Sequence, residues 1–254
     1  MELESKIFNN SGTFKIEKSC HIKCLKGLDF SFELDAKETN IELDFDVEEN
    51  ANVELRILNY KEEKALNLHG KVCKNSIFNV YLADFSENLM TVKSIVDLDE
   101  EGANSTFKFS TLSDKEIIKN YDISFNHNTK KTKSLLEGYG VAEDTSSIIV
   151  NGVSHIKKDC AKCKTAQKIK VILFDKFSKA TTNPVLKIDC EDIEASHACA
   201  IGNLNEDHIF YLLSRGIELK EARKLITLGY LNPIKNYFPE DQKEFISSLI
   251  ERNM

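Results

Sequence analysis

Residues 41–57 read IELDFDVEENANVELRI, two short runs in which apolar residues alternate with charged ones. Successive side chains of a β-strand point to opposite faces, so this period of two places one face in a core and the other in water. Similar runs continue from about residue 12 to about residue 190 and recur roughly every ten residues, bounded by Asn, Asp, Gly and Ser. The pattern predicts a mostly β chain made of many short strands.

A weak internal repeat supports one arrangement of these strands. Residues 49–57 (ENANVELRI) and 101–109 (EGANSTFKF) both have an acid, a turn residue, Ala, Asn and then an alternating strand. A small Ala followed by Asn suits a tight corner where a left-handed backbone is tolerated. Corners repeated between short strands favour a solenoid or β-helix, although a β-sandwich would give the same strand spacing.

The composition indicates a packed protein and excludes some partners. Hydrophobic residues make up 41% and charged residues 30%, while the net charge is −7. A nucleic-acid-binding surface would need clustered positive charge, so we expect no nucleic acid partner. The N-terminus, MELESKIFNN, lacks a signal-peptide pattern, and no apolar run approaches the ~18 residues of a membrane span. We therefore expect a cytoplasmic protein without membrane contact, whose seven cysteines are free thiols.

The pattern changes at about residue 204, where apolar residues recur at helical spacing. Capping residues predict three short helices: one from Asn205 to Gly216, one from about Glu218 to Leu228 with Gly229 as its stop, and one from Pro239. The apolar faces of the helices consist of Ile209, Phe210, Leu212, Leu213, Leu219, Ala222, Leu225, Ile226, Phe245, Ile246, Leu249 and Ile250. Of these, Leu219, Ala222, Leu225 and Ile226 are expected to point inward. We divide the chain into a β-domain, residues 1–202, and a helical domain, residues 203–254. Such short helices must pack on the β-domain, on each other or on a partner.

Cys160 and Cys163 form a CxxC motif flanked by four lysines. One CxxC supplies half of a tetrahedral zinc site, and the chain has no second pair at the right distance. Neighbouring lysines would lower the pKa of an exposed thiol. The alternative is that both cysteines simply occupy a basic turn.

Cys190, His197 and Cys199 lie close together, and cysteine with histidine binds iron or zinc. On a strand, His197 and Cys199 would share a face. The alternative is that the cysteines fill the core and His197 caps a turn. The other histidines, His21, His69, His127 and His155, have no partner pattern in the sequence.

No nucleophile elbow, nucleotide-binding loop or zinc-protease motif occurs in the sequence, so we expect no enzyme activity. A β-helix enzyme acting on carbohydrate would need clustered carboxylates on one sheet face. Glu42, Asp44 and Asp46 are candidates for such a cluster. Their alternation is more typical of a solvated face.

Residues 183–231 read NPVLKIDCEDIEASHACAIGNLNEDHIFYLLSRGIELKEARKLITLGYL. This segment resembles the C-terminal signature of the SufB/SufD family of iron–sulfur cluster assembly proteins. The matching pieces are an acidic pair, a Ser-His element, a Gly turn, an acidic helix start and two helices, at residues 191–192, 196–197, 202, 206–207, 210–217 and 221–229.

The resemblance implies a right-handed parallel β-helix followed by a C-terminal bundle of short α-helices. It implies a scaffold subunit that pairs through its β-helix, with a SufB-type subunit or with itself as a homodimer. An iron–sulfur cluster would form transiently at that interface, with His197 and Glu206 as the candidate ligands that the resemblance implies. The spacing of the cysteines adds Cys190 and Cys199 as candidates and Cys160 and Cys163 as weaker ones. The helices would bind a SufC-type ABC ATPase, with contact residues Phe210, Arg215, Glu221, Arg223 and Leu225.

Two departures from the family pattern matter. The SufB pattern has a cysteine just after an Asp-Lys pair, whereas here Asp175-Lys176 is followed by Phe177 and Ser178. The sequence is therefore more similar to SufD than to SufB. Family members also carry an N-terminal helical domain, whereas this sequence starts directly in strands, and we interpret it as a short form.

Overall fold

The chain folds into a parallel β-solenoid with three helices at its C-terminal end, and the computed structural model describes residues 3–204 and 206–253. Odd-numbered and even-numbered strands form two separate eight-stranded parallel sheets, the odd sheet and the even sheet. The odd sheet contains β1 Glu4–Phe8, β3 Cys20–Cys24, β5 Asn40–Val47, β7 Lys64–Val72, β9 Met90–Leu98, β11 Ile118–His127, β13 Ser147–Ile156 and β15 Lys179–Ile188. The even sheet contains β2 Gly12–Ile16, β4 Asp29–Leu34, β6 Asn52–Asn59, β8 Ile77–Asp84, β10 Asn104–Ser113, β12 Lys133–Ala142, β14 Cys163–Leu173 and β16 Ile193–Asn203. The predicted parallel β-helix is confirmed, and the sandwich alternative is wrong.

The sequence repeat marks one corner of the solenoid. Asn50 and Gly102 have φ values of 57° and 82°, and each precedes a fully buried alanine. The left-handed residue is thus the one before the alanine, and the asparagine after it begins β6 or β10. A left-handed residue followed by a buried small side chain recurs at this corner in the pairs Asn75-Ser76, Lys131-Thr132 and Lys162-Cys163. The small side chain is required because the backbone turns sharply over the core.

The core lies between the two sheets and is formed by the inward residues of every coil. Parallel in-register pairing stacks like side chains on neighbouring coils. Phe45 contacts Phe32 and Phe78 across the core, with ring centroids 5.4 Å and 5.0 Å apart. Such pairs contribute about 0.5–1.5 kcal/mol each beyond the burial of their area.

The helices are α1 Glu206–Ser214, α2 Leu219–Leu231, a 3-10 helix Asn232–Tyr237, and α3 Glu240–Arg252. Gly216 has a φ of 82°, as expected of a residue just past a helix end. The prediction that Gly229 ends the second helix is wrong, since α2 continues to Leu231. Glycine costs a helix about 1 kcal/mol, and the complete burial of Leu231 outweighs that cost. The predicted cap Asn205 and the side chain of Glu206 lie outside the described residues.

The helical tail packs on the outer face of the even sheet. Tyr81 and Phe85 lie under the tail together with Leu112 and Val141, and Tyr81 stacks on Tyr237 with ring centroids 4.5 Å apart. The tail residues buried in this cluster are Leu231, Ile234, Phe238, Ile246, Leu249 and Ile250. Burial of Ala222 and of the α3 face is therefore confirmed. The inward placement of Leu219 and Leu225 is wrong, because the outer side of α2 faces away from the sheet. Phe210 and Leu213 of α1 are likewise exposed.

Candidate functional site

Strands β15 and β16 form the last coil of the solenoid, and each is the end strand of its sheet. Within the described chain, each has one edge without a neighbouring strand. Side chains that would be buried in an inner coil are exposed here: Ile188 is 38% and Ile201 is 41% exposed. The last coil is an uncovered end that presents backbone hydrogen-bonding groups and apolar side chains together.

His197 and Cys199 lie on the inner face of β16, at this uncovered end. Cys199 pairs in register with Ile169, packs on the solenoid core and forms a hydrogen bond with Thr182. His197 precedes it by two residues, so it is on the same face, directly above Gln167 of β14. Nevertheless His197 is exposed, because no further coil of the described chain covers it. The structure thus brings these two candidates together with an open approach.

The Cys199 thiol is shielded from water more than His197. Burial raises the pKa of Cys199, and hydrogen bonds from the Ile169 backbone and Thr182 act in the opposite direction. Since desolvation disfavours the charged form, the thiol stays protonated at neutral pH until a cation or a partner changes its surroundings.

The other candidate cysteines lie at a corner of the solenoid and not beside His197. Cys160 and Cys163 pack with Ile156, and the partly buried Cys190 packs against them. Cys163 occupies the same corner position as Ala51, and its Sγ is 3.1 Å from Thr132 Oγ1. Burial raises the pKa of Cys160, and this effect exceeds the opposite effect of Lys157. The geometry favours a packing role for Cys163 in particular.

The remaining histidines of the solenoid lie in strands, and three of them have carboxylate partners that no sequence pattern indicated. His21 lies 3.0 Å from Asp46, His69 lies 2.8 Å from Asp97, and His155 lies 3.2 Å from Asp189. The partners are one coil apart along the chain, and sequence spacing alone does not reveal such a contact. Asp46 and Asp44 therefore belong to a histidine–carboxylate ladder on the outer face, in which His69 Nδ1 lies 3.8 Å from Asp44.

The fourth histidine, His127, belongs to a buried polar chain that the sequence analysis missed. His127 contacts Thr132 through Nδ1 at 2.7 Å and Ser134 through Nε2 at 2.9 Å. The chain of hydrogen bonds runs in order through Cys163, Thr132, His127, Ser134, Thr165, Ser154 and Gln167. The sequence feature that could have revealed these hydrogen bonds is the presence of polar residues at positions where the alternation of a strand places side chains in the core. This series of hydrogen bonds ends at Gln167, which lies beneath His197.

His127 predicts an acid-dependent loss of stability. Burial lowers its pKa from 6.5 to about 4, so between these pH values the unfolded chain binds a proton that the folded chain does not. The free energy of unfolding should therefore fall by about 3 kcal/mol from pH 7 to pH 4, relative to a His127→Gln variant. Urea unfolding of both proteins across this range measures the difference. Parallel pH profiles would contradict the prediction.

The first helix and its surroundings form an apolar surface, which we call the α1 surface: Phe177, Phe210, Leu213 and Leu219. Their side chains are 65%, 73%, 42% and 49% exposed. Phe210, Leu213 and Leu219 line a groove of about 500 Å³ between the helices and the β14–β15 turn. Of the described side chains of α1, none is buried. A nine-residue helix with so little packing is marginal by itself.

The five predicted partner-binding residues divide into two groups. Phe210, Arg215, Glu221 and Leu225 are exposed. Arg223 instead anchors α2 to the solenoid, because it donates to Asp175 Oδ1 at 3.1 Å and to the Phe174 carbonyl at 3.3 Å.

Across residues 3–204 and 206–253, no group of three or more His, Cys, Asp or Glu side chains is arranged to hold a metal ion. In the same part of the chain, no helix has the length and apolar character needed to cross a membrane. The candidate ligand Glu206 cannot be placed relative to His197, since its side chain lies outside the described residues.

The described chain is a parallel β-solenoid with an uncovered last coil and exposed apolar side chains on its helical tail. Residues 10–230 match a family model described as "SUF system FeS cluster assembly, SufBD core domain". The match covers most of the chain, so the protein belongs to the SufBD family of iron–sulfur cluster assembly proteins.

Relatives agree with this assignment. The chain is 29% identical over 163 residues to the iron-sulfur cluster assembly protein SufD of Bacillus subtilis, which covers 64% of this chain and 37% of that protein. It is 21% identical over 154 residues to SufBD family proteins of Staphylococcus saprophyticus and Staphylococcus epidermidis, covering 61% of this chain and 33% of each. The chain thus spans about a third of the length of the curated relatives it matches.

Proposed function

We propose that this chain is a non-catalytic scaffold subunit of a cytoplasmic SUF-type complex, in which an iron–sulfur cluster is assembled at the last coil. The observation that carries the proposal is that His197 lies on the inner face of β16 and is nevertheless exposed. A histidine needed only for packing would be covered by the fold. A histidine that receives cargo between two subunits needs this access.

Pairing through the last coil is supported by its free strand edges and apolar side chains. A second solenoid placed end to end would satisfy the open backbone groups of β15 and β16 and bury Ile188 and Ile201. The partner is a SufB-type subunit or a second copy of this chain. Either one would cover His197 and Cys199 at the seam.

The cluster is cargo and not a resident cofactor, and the donor set suits that role. Imidazole and thiolate both bind iron, and a site divided between two subunits opens when they separate. His197 and Cys199 are the donors that the seam would enclose, and Glu206 is a further candidate. Cys190, Cys160 and Cys163 belong to the corner cluster, so we assign them no direct role in the cluster.

The α1 surface is the proposed binding site for a SufC-type ABC ATPase. Its apolar side chains are unpartnered within the described chain, and Arg223 holds α2 firmly on the solenoid. Movement of the ATPase could then reach the last coil through the short connection between β16 and α1.

Anaerobic reconstitution with a SufC-type ATPase and a SufB-type subunit tests the proposal. We expect the wild-type complex to acquire iron and sulfide and the His197→Ala complex to lose most of that loading, because a ligand at the seam is missing. His155→Ala is the matched control, since His155 is a partly buried histidine on the outer face of the odd sheet. The mass of each complex shows whether the subunits still assemble. Equal loading of wild type and His197→Ala, in intact complexes, would remove His197 from the site.

The two alternative functions have weaker support. A carbohydrate-active site at Glu42, Asp44 and Asp46 conflicts with the pairing of Asp44 and Asp46 to histidines on the outer face. A zinc site at Cys160 and Cys163 would need further ligands beside two thiols. Membership of the SufBD family favours the scaffold over both.

A further inference from the structure

Gln167 is a buried amide with one unsatisfied hydrogen-bonding atom. Its side chain is 1% exposed, and its Nε2 donates to Ser154 Oγ at 3.1 Å and to the Val185 carbonyl at 3.2 Å. A carbonyl oxygen only accepts hydrogen bonds, so the atom that faces Val185 must be the NH2 group. This fixes the orientation of the amide. Gln167 Oε1 is left buried and without a hydrogen-bond partner among the described residues.

An unsatisfied buried acceptor normally costs stability, typically about 1–3 kcal/mol. The surroundings hold the amide in place despite this cost. Ser154 accepts from both Gln167 and Thr165, and Thr165 continues the polar chain to Ser134. Gly152 leaves room for the oxygen, because a Cβ at that position would lie 2.5 Å from Gln167 Oε1. The oxygen is therefore positioned by its neighbours, although nothing in the described chain binds it.

His197 is the register partner of Gln167 on the next coil. Neighbouring strands lie about 4.8 Å apart, and an imidazole spans that distance when it turns inward. Metal-binding histidines nearly always donate their second ring N–H to a carbonyl, carboxylate or water, which fixes the ring and its tautomer. The last coil supplies the histidine, and the coil beneath supplies an acceptor with no other partner.

We propose that Gln167 is a positioning residue for His197: its Oε1 accepts the N–H of one ring nitrogen and leaves the other nitrogen free to bind iron. This inference rests on the proposed function, because it takes His197 as an iron ligand. Gln167 does not touch the iron. It restricts the imidazole to one tautomer and one orientation before the metal arrives, and the polar chain through Ser154 holds Gln167 in turn.

Anaerobic ferrous ion titration of the complex reconstituted with a SufC-type ATPase and a SufB-type subunit tests the inference. We expect Gln167→Met to weaken ferrous ion binding about tenfold or more. Gln167→Glu keeps an acceptor on the same coil, and we expect it to retain most of the iron binding that Gln167→Met loses. In a His197→Ala background, Gln167→Met should have no further effect on iron binding.

A second readout is independent of iron. The ring-nitrogen chemical shifts of ¹⁵N-labelled His197 should show one neutral tautomer in wild type and a mixture in Gln167→Met. A purely structural role of Gln167 would not select a tautomer, and it would weaken iron binding in Gln167→Glu as well, because that variant loses the donors to Ser154 and Val185.

The outcomes separate this inference from the proposed function. If His197→Ala weakens ferrous ion binding and Gln167→Met does not, the positioning role is wrong and the ligand role of His197 stands. If Gln167→Met and Gln167→Glu weaken binding equally, the positioning role is also wrong. If His197→Ala leaves iron binding unchanged, the proposed function loses its ligand and the inference is overturned with it.

Discussion

Replacing Lys119 by alanine is expected to destabilise the chain by about 3–5 kcal/mol, because it leaves the Asp84 carboxylate buried without a counter-charge. Both side chains are completely buried, and Lys119 Nζ lies 2.9 Å from Asp84 Oδ2. The lysine also donates to the carbonyl and hydroxyl oxygens of Ser86 at 2.8 Å and 3.1 Å, so all its donors are used. Chemical unfolding of the purified variant measures the loss.

The carboxylate of Asp84 is equally well satisfied in the folded chain. It accepts hydrogen bonds from Tyr121 at 2.8 Å and from Asn59 at 3.0 Å in addition to Lys119. Burial and the neighbouring carboxylate raise the pKa of Tyr121, so the phenol stays protonated and donates. The network joins the odd sheet, which carries Lys119, to the even sheet, which carries Asp84.

Two further variants give the Lys119 prediction its controls. Lys93→Ala removes an exposed lysine from the neighbouring strand β9, and its stability should change by less than about 0.5 kcal/mol. The double variant Lys119→Met with Asp84→Asn removes both charges, and it should recover part of the loss. A Lys119→Ala protein as stable as Lys93→Ala would show that the buried pair contributes nothing.

The second large effect is expected at the α1 surface. Phe210→Asp should weaken binding of a SufC-type ATPase about thirty-fold or more, the effect of losing about 2 kcal/mol at a central aromatic contact. Phe210 is 73% exposed, so the substitution removes little packing within the chain itself. Surface plasmon resonance with the immobilised full chain measures the affinity.

A matched control separates docking from a general loss of surface hydrophobicity. Ile118→Asp changes a side chain that is 47% exposed at the start of β11, away from the helical tail. We expect ATPase binding by that variant to equal that of wild type, and both variants should keep the wild-type unfolding midpoint. Unchanged affinity in Phe210→Asp would move the ATPase contact away from the α1 surface.

Much of the solenoid could be predicted from the sequence because its determinants are local. The alternation in residues 41–57 defines strands, and the repeated corner favours a solenoid. The strand spacing also fits a sandwich, and the parallel pairing between coils excluded it. The presence of the first helix could also be predicted from local sequence, because Gly216 adopts a left-handed backbone conformation just past the helix end. The end of α2 could not be predicted in this way. Burial of Leu231 against the even sheet outweighs the tendency of Gly229 to end a helix.

The family signature in residues 183–231 could be recognised because it is a continuous stretch of sequence. The three-dimensional surroundings of its residues could not be predicted from that stretch. The contacts of His69 and Lys119 join residues that lie a coil or more apart in the chain, and the register places His197 above Gln167. Alternation assigns each residue to a face, and only the register between coils decides which residues meet there. The sequence by itself therefore determined the strands, the corners and the candidate residues. The tertiary structure decided that His197 is accessible at an uncovered coil above a buried acceptor, because coil stacking fixes both its neighbours and its exposure.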